Sequence, residues 1–353
     1  MSEAQMMLSL AQPLQKLVAD KFRTAYKDKS ILFSETAVAL LRTQKGAPFQ
    51  LRYCPALAKK PKADGAEEKK EPARPKFDPF ADPPDELLVA NIPANKASHI
   101  LVLNKFPVIH NHFIIATKAN KPQTAILEKE DLGITHACLH AWQHDQHDQH
   151  GQNSSRLFAF FNSGEHSGAS QPHRHLQFLP VEDMASPEAP AWELLLDRMT
   201  VRAHPELPLF QDPSLPFLHF STPLEDGLSL TDLYSKYLLL LNAAMSAVRF
   251  PDQPLHQNLE VEEDGRAVFS YNLAMTTGIL AICPRSREAV AMPESGATSS
   301  VALNGTLLGG TLMVKDEVEW DVLRHDHALL DGILAGVGYP PVSWEPNGNE
   351  IKL

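Results

Sequence analysis

Apolar positions recur at helical spacing over residues 6–28, where Leu8, Leu14, Leu17, Val18 and Phe22 fall on one face. Ile31-Leu-Phe33 and the apolar stretch Val38 to Leu41 follow, and Phe49-Gln-Leu-Arg-Tyr53 alternates as a half-buried strand does. Ile100–Leu103 and Phe113–Thr117 are short, apolar and β-branched, and read as strands joined by residues 104–112. A helix is predicted over 124–144, with Ile126, Leu127, Leu132 and Leu139 on its apolar side. Leu157–Phe161 is a further strand, followed by a loop of small residues and a strand over 173–181. Beyond a proline-rich stretch from Pro187 to Pro223, a helix is expected over 229–248, opened by a Ser229/Asp232 capping arrangement. Strands over 267–276 and 279–283 flank the tight turn Thr277-Gly278 and suggest a hairpin. A final amphipathic helix is predicted over about 316–336. Strands and helices mix without βαβ regularity or repeats, so the class is α+β.

At 353 residues the chain suits two regions, predicted as 1–210 and 211–353. Residues 59–76 are rich in Pro, Lys and Glu and nearly free of apolar side chains, which predicts a flexible loop. The 32 Lys+Arg against 43 Asp+Glu leave a net charge of −11, which argues against a partner such as nucleic acid or an anionic membrane. No run approaches the length of a membrane-spanning helix, and Lys16, Asp20, Lys21 and Arg23 interrupt any signal-like apolar core. Three dispersed cysteines, Cys54, Cys138 and Cys283, form neither a disulfide framework nor a Cys-rich zinc site and fit a reducing compartment. A cytoplasmic location is expected, with the nucleus also compatible.

The chemistry concentrates in residues 160–177, Phe-Phe-Asn-Ser-Gly-Glu-His-Ser-Gly-Ala-Ser-Gln-Pro-His-Arg-His-Leu-Gln. On a strand, His173, His175 and Gln177 point to one side, and Arg174, Leu176 and Phe178 to the other. The preceding small residues, Asn162 to Ser170, allow backbone N–H groups to approach an anion. An anion cradle beside strand histidines suits phosphoryl or nucleotidyl transfer, in which a neutral imidazole attacks phosphorus and nearby donors stabilise the charge on its oxygens. Two other readings stand beside it: exposed strand histidines, or a pair of zinc ligands.

This run resembles the active-site motif of the ATP adenylyltransferases, or diadenosine tetraphosphate phosphorylases, within the superfamily of histidine-triad proteins and galactose-1-phosphate uridylyltransferases. The hydrolase branch carries His-x-His-x-His; this chain has the His-x-His-x-Gln of the transferases. Leu51–Pro61, Leu103–Val108, Asn111–Thr117, Ser270–Thr276 and Pro284-Arg285 resemble further family segments in the same order, so the likeness covers nearly the whole chain. It implies a histidine-triad-like or uridylyltransferase-like antiparallel sheet with flanking helices, and a C-terminal α/β portion completing the site. It implies that His175 takes AMP covalently, that His173 orients the site and that Gln177 donates to an α-phosphate oxygen. Asn162 and the stretch Gly168, Ala169, Ser170, Gln171 would hold the phosphate chain. Lys59 or Lys60, with Lys105, would supply positive charge, and Asn272, Met275, Thr276 and Arg285 would reach the nucleotide from the C-terminal half. The implied reaction is a ping-pong one: diadenosine tetraphosphate is split, ATP leaves, and inorganic phosphate takes the adenylyl group to give ADP, or the reverse. No tightly bound cofactor is implied; Mg²⁺ would arrive on the substrate's phosphates. The alternatives are a histidine-triad-type hydrolase yielding AMP and ATP, which Gln177 speaks against, and a non-catalytic nucleotide sensor, which would not need His175.

Of the 16 histidines, five lie in the run His136, His140, His144, His147, His150. The first three share a helix face that could hold a divalent metal. The Gln and Asp repeating through 143–152 read instead as a solvated extension, and no metal site is assigned. His110 and His112, near strand ends, are expected to be structural, and Glu165 and His166 receive no role.

Overall fold

The computed structural model describes residues 7–56, 78–144, 155–251, 265–292 and 300–342, together with 253, 255, 262 and 263. The 59–76 loop, with Lys59 and Lys60, lies outside them. Helix α1 (Leu14–Lys27) is followed by strands β1 (Ala37–Arg42), β2 (Pro48–Tyr53), β3 (Leu88–Ile92), β4 (His99–Leu103) and β5 (Phe113–Thr117). Helix α2 (Lys129–His144) precedes β6 (Leu157–Ser163), β7 (His175–Pro180), β8 (Arg202–Ala203), β9 (Phe210–Gln211) and β10 (Phe220–Pro223). Helix α3 (Leu230–Arg249) leads to β11 (Ser270–Met275), β12 (Ile279–Arg285), β13 (Ala289–Ala291), β14 (Ser300–Ala302) and β15 (Thr311–Val314), and the fold closes with α4 (Glu317–His325) and α5 (Ala328–Val337).

The central sheet has ten strands in the order β3-β4-β5-β7-β6-β11-β12-β10-β9-β8, with every pairing antiparallel. It runs without a break from strands early in the chain to strands beyond residue 210, through the pairing of β6 with β11. A smaller sheet, β1-β2-β15, joins chain ends: β15 adds parallel to β2. Among the described residues no helix is long and apolar enough to cross a membrane.

Alternation decides what each face carries. Leu176, Phe178, Phe161, Phe113 and Leu273 face α1, α2 and α3 in one aliphatic and aromatic core. Within it Phe113 and Phe178 stack with ring centroids 4.8 Å apart, and each buried ring contributes about 2–3 kcal/mol through removal from water. On the opposite face Phe158, Phe160, Ala274 and Ala281 pack against β2, β15, α4 and α5. A small cluster of Phe80, Ile100, Val102 and Ala116 covers the far end of that face. Between these two apolar patches lies a strip of polar side chains.

Several boundaries depart from the sequence expectation, each for a local reason. The first long helix begins at Leu14 rather than near residue 6, because Pro13 occupies its N-cap and a proline further inside would break the helix. The helix expected from 124 starts at Lys129. Residues 124–128 instead run alongside Arg266, with the Ile126 N–H donating to the Gly265 carbonyl. The last helix is two: Asp326 ends α4, and its carboxylate accepts from the Ala328 N–H at 3.0 Å to start α5. Helix α3 carries the anticipated cap, with the Asp232 N–H donating to Ser229 Oγ at 3.1 Å.

Candidate active site

His175 is buried on the polar strip at the start of β7. Its Nδ1–H donates to the His173 carbonyl at 2.8 Å, which leaves the imidazole lone pair on Nε2. The ring lies 5.1 Å from the Phe80 ring, which also packs edge-on against His173. Where β6 and β7 diverge, Gln123 fills the gap. Its Oε1 accepts from the His175 N–H at 2.8 Å, and its Nε2 donates to the carbonyls of Asn162 and His175 at 2.8 and 3.2 Å.

His173 sits two residues before the strand, in an isolated bridge with Pro122. Its Nδ1 meets Asp78 Oδ2 at 2.8 Å and its Nε2 the Thr117 carbonyl at 2.6 Å. With both nitrogens engaged, the ring braces the backbone that aims His175. Burial opposes ionisation of Asp78, but the Phe80 N–H and His173 outweigh it and hold the carboxyl below its ordinary range.

Gln177 opposes Phe160 across the sheet. Its Oε1 lies 3.1 Å from His112 Nε2, and His112 Nδ1 lies 3.0 Å from Asn104 Nδ2. Because the Asn104 amide N–H donates to Nδ1, the Nε2–H of His112 donates to Gln177, which turns the Gln177 amide N–H₂ away from His112. Asn104, His112 and Gln177 form one wall of a cavity of about 210 Å³, and Asn304, Thr306 and Lys315 form another. Lys105 is exposed on the loop between the wall residues Asn104 and Phe106.

The small-residue loop forms a short 3₁₀ turn at Glu165–Ser167 and then Gly168, at φ +78°. A Cβ at Gly168 would stand 2.8 Å from Asn304 Cβ and 2.9 Å from the Leu303 carbonyl, so only glycine fits. The N–H groups of Ala169, Ser170 and Gln171 meet no acceptor among the described residues. Behind the loop, Asn162 Oδ1 accepts from Asn272 Nδ2 at 2.9 Å and from the Gly305 N–H at 2.8 Å. The Asn162 amide N–H₂ is thereby fixed in orientation. Asn272 also donates to the Ser167 carbonyl at 2.8 Å.

Three of the residues expected to reach the nucleotide are engaged within the protein in this structure. Arg285 is buried, and its guanidinium is spent on Asn272 Oδ1 at 2.5 Å and on the carbonyls of Val337, Arg287, Glu288 and Leu303. It therefore orients Asn272. Met275 differs from Asn272 by an odd number of positions and so packs in the core beneath the helices. Thr276 closes the hairpin turn, its N–H donating to the Ile279 carbonyl at 3.0 Å, at the opposite end of β11 from the loop.

The sequence reading missed Asp78, Phe80, Asn104 and Gln123, and treated His112 as merely structural. Asp78 and Gln123 come from segments 95 and 52 residues away from the histidines they hold, and no local pattern marks them. On the other face Arg174 donates to Asp131 Oδ2 at 2.8 Å and Glu128 Oε1 at 3.0 Å, and His99 lies 2.9 Å from Asp131 Oδ1. Burial raises the Asp131 pKa, but His99, Arg174 and the Glu128 N–H outweigh it and hold the carboxyl low.

An antiparallel sheet presenting a tautomer-fixed imidazole, an oriented carboxamide and a loop of unengaged N–H groups defines a nucleotidyltransferase site. The chain belongs to the Ap4A phosphorylase and ATP adenylyltransferase family: the model of the Ap4A phosphorylase N-terminal domain matches residues 4–197, and that of the ATP adenylyltransferase C-terminal domain matches 213–340. It is 28% identical over 334 residues, 94% of this chain and 96% of the relative, to diadenosine 5',5'''-P1,P4-tetraphosphate phosphorylase 2 of Saccharomyces cerevisiae. To Protein APA1 of the same yeast it is 27% identical, over 96% of this chain and 99% of the relative. The crystal structure of the yeast Ap4A phosphorylase Apa2 superposes with a TM-score of 0.74 at 26% identity, covering 95% of this chain and 100% of that one. Apa2 has also been solved in complex with Ap4A, with the same score and coverage.

Proposed function

We propose that the protein cleaves diadenosine tetraphosphate by phosphorolysis to ADP and ATP, and runs the reverse adenylyl transfer, through an adenylyl group on His175. The observation that carries this reading is the His175 Nδ1–H donated to the His173 carbonyl, which leaves Nε2 as the nucleophilic nitrogen. Nε2 attacks an α-phosphorus, the bond from that phosphorus to its bridging oxygen breaks, and ATP departs with the bridging oxygen. An oxygen of inorganic phosphate then attacks the same phosphorus, the P–N bond breaks, and ADP leaves with His175 restored.

Charge on the non-bridging oxygens is met by the Gln177 amide, held by His112, and by the Asn162 amide, held by Asn272 and Gly305. The N–H groups of Ala169, Ser170 and Gln171 receive the rest of the phosphate chain, with Lys105 and Lys59 or Lys60 as countercharge. Mg²⁺ enters with the substrate's phosphates. An acidic chain holds a polyanion here because the cradle is local: backbone dipoles and a few cations outweigh a distant surface charge that salt screens.

Incubation with diadenosine tetraphosphate, with and without phosphate, tests the reading. Phosphate-dependent formation of ADP and ATP is expected. AMP and ATP formed without phosphate would mean a hydrolase, and binding without turnover a sensor; either result overturns the proposal.

A further inference from the structure

Outside the catalytic face, helix α2 carries an arrangement that the adenylyl-transfer chemistry does not use. His136 and His140 stand one turn apart, and their Nε2 atoms lie 3.0 Å from each other, with ring centroids 4.3 Å apart and planes at 70°. Both rings are half-buried, whereas their neighbours Cys138, Leu139, Ala141 and Trp142 are part of the core beneath the helix. Two imidazole nitrogens this close on successive turns are the donor pair of a transition-metal chelate on a helix. Each nitrogen sits about 2.0–2.1 Å from a tetrahedral zinc ion, which places the two about 3.3–3.4 Å apart. The Nε2–Nε2 separation is thus within a few tenths of an ångström of the one a chelate requires, and small rotations of the rings would turn both lone pairs to an ion.

We infer that His136 and His140 bind a borderline divalent transition-metal ion, represented by Zn²⁺, which clips the last two turns of α2. Without metal, one ring must donate its Nε2–H to the lone pair of the other. On metal binding that ring carries its proton on Nδ1 instead, so both Nε2 lone pairs face the ion and no net proton need be lost from a neutral pair. The two donors named are imidazole nitrogens, which favours Zn²⁺, Ni²⁺ or Cu²⁺ over Mg²⁺ or Ca²⁺. Water completes the coordination sphere. The ion sits against a helix on the far face of the sheet from His175, so its role is structural.

The test is calorimetric titration of chelator-stripped full-length protein with zinc chloride at pH 7.5, paired with the zinc-dependent shift in thermal midpoint. His136→Ala and His140→Ala should each weaken binding about tenfold or more and abolish the shift. Alanine favours helix, and circular dichroism checks that α2 remains. A triple variant, His144→Ala/His147→Ala/His150→Ala, alters the downstream histidines, whose side chains lie outside the described residues, and should keep both the affinity and the shift. Unchanged binding in the two single variants, or binding lost only in the triple variant, would overturn the inference.

Discussion

Strand β7 shows how differently the two faces of one sheet are built. Leu176 and Phe178 enter a continuous core under three helices, and Arg174 joins them only because Asp131 and Glu128 meet its charge. His175 and Gln177, their immediate neighbours, each have one polar atom tied to the protein, which fixes the tautomer of the one and the amide orientation of the other. Burial on the helix side removes water to gain stability. On the other side it fixes tautomers and amide orientations, a preorganisation realised only when charge develops on a phosphate.

Substitutions on the two sides of β7 should therefore fail in different ways. His175→Ala carries the largest expected effect. Phosphate-dependent turnover of diadenosine tetraphosphate should fall by at least about a thousandfold, with no acid-labile adenylyl-protein formed; near-native turnover would break the comparison. Arg174→Ala should do the reverse. Leaving the Asp131 charge buried without its guanidinium costs about 3–5 kcal/mol in denaturant unfolding, while turnover per folded molecule falls far less than in His175→Ala.

Gln177→Ala should lower kcat about a hundredfold with little change in KM, since its donated bond strengthens as charge develops. His112→Ala, which only frees that amide to rotate, should cost about tenfold, and the double variant should be no worse than Gln177→Ala alone. Additive losses would show that His112 acts otherwise than through Gln177.

The smallest effect concerns pH and belongs to His219. Its Nε2 accepts from the Asp212 N–H at 2.8 Å and its Nδ1–H donates to the Phe217 carbonyl at 3.0 Å, so the native ring is neutral. Burial lowers its pKa from 6.5, against weaker opposing pulls from the Phe217 carbonyl and Asp212. The unfolded chain then takes up the proton more readily. The stability this ring contributes is full above about pH 6.5 and declines as pH falls below it. Urea midpoints measured from pH 8 to 5 should fall in that window. His219→Gln, whose amide oxygen can accept the same N–H, should make the decline shallower, leaving the shares of His136 and His204, whose pKa values burial also lowers.

What could be read along the chain was local. The short apolar runs Phe113–Thr117 and Leu157–Phe161 marked strands by their composition, and the side assigned to each residue from Arg174 to Phe178 follows from a period of two that needs no distant partner. Ser229 announced its helix for the same reason. Strand β15 has only four residues, and its pairing with β2 joins Thr311 to Gln50, 261 positions apart; no window of sequence contains that information. The site divides in the same way. The histidines, Gln177 and the glycine loop stood out, while the groups that hold them, from Asp78 and Gln123 to Asn272, were set by tertiary packing. Arg285 shows the limit from the other side. The family resemblance made it a nucleotide contact, and only its surroundings reveal that its guanidinium donates to five protein acceptors.

The seam between β6 and β11 also sets an order of events during synthesis. Asn162 must wait for Asn272, 110 residues later, before its amide is fixed. Until those residues emerge, β6 presents an open edge with bare N–H and C=O groups, the kind of edge that recruits other chains. Acquisition of the sheet is thus late and non-local, a topology associated with slow folding and exposure to aggregation. A nascent chain that stalls between the two strands is left with His173 and His175 already synthesised and an adhesive margin beside them.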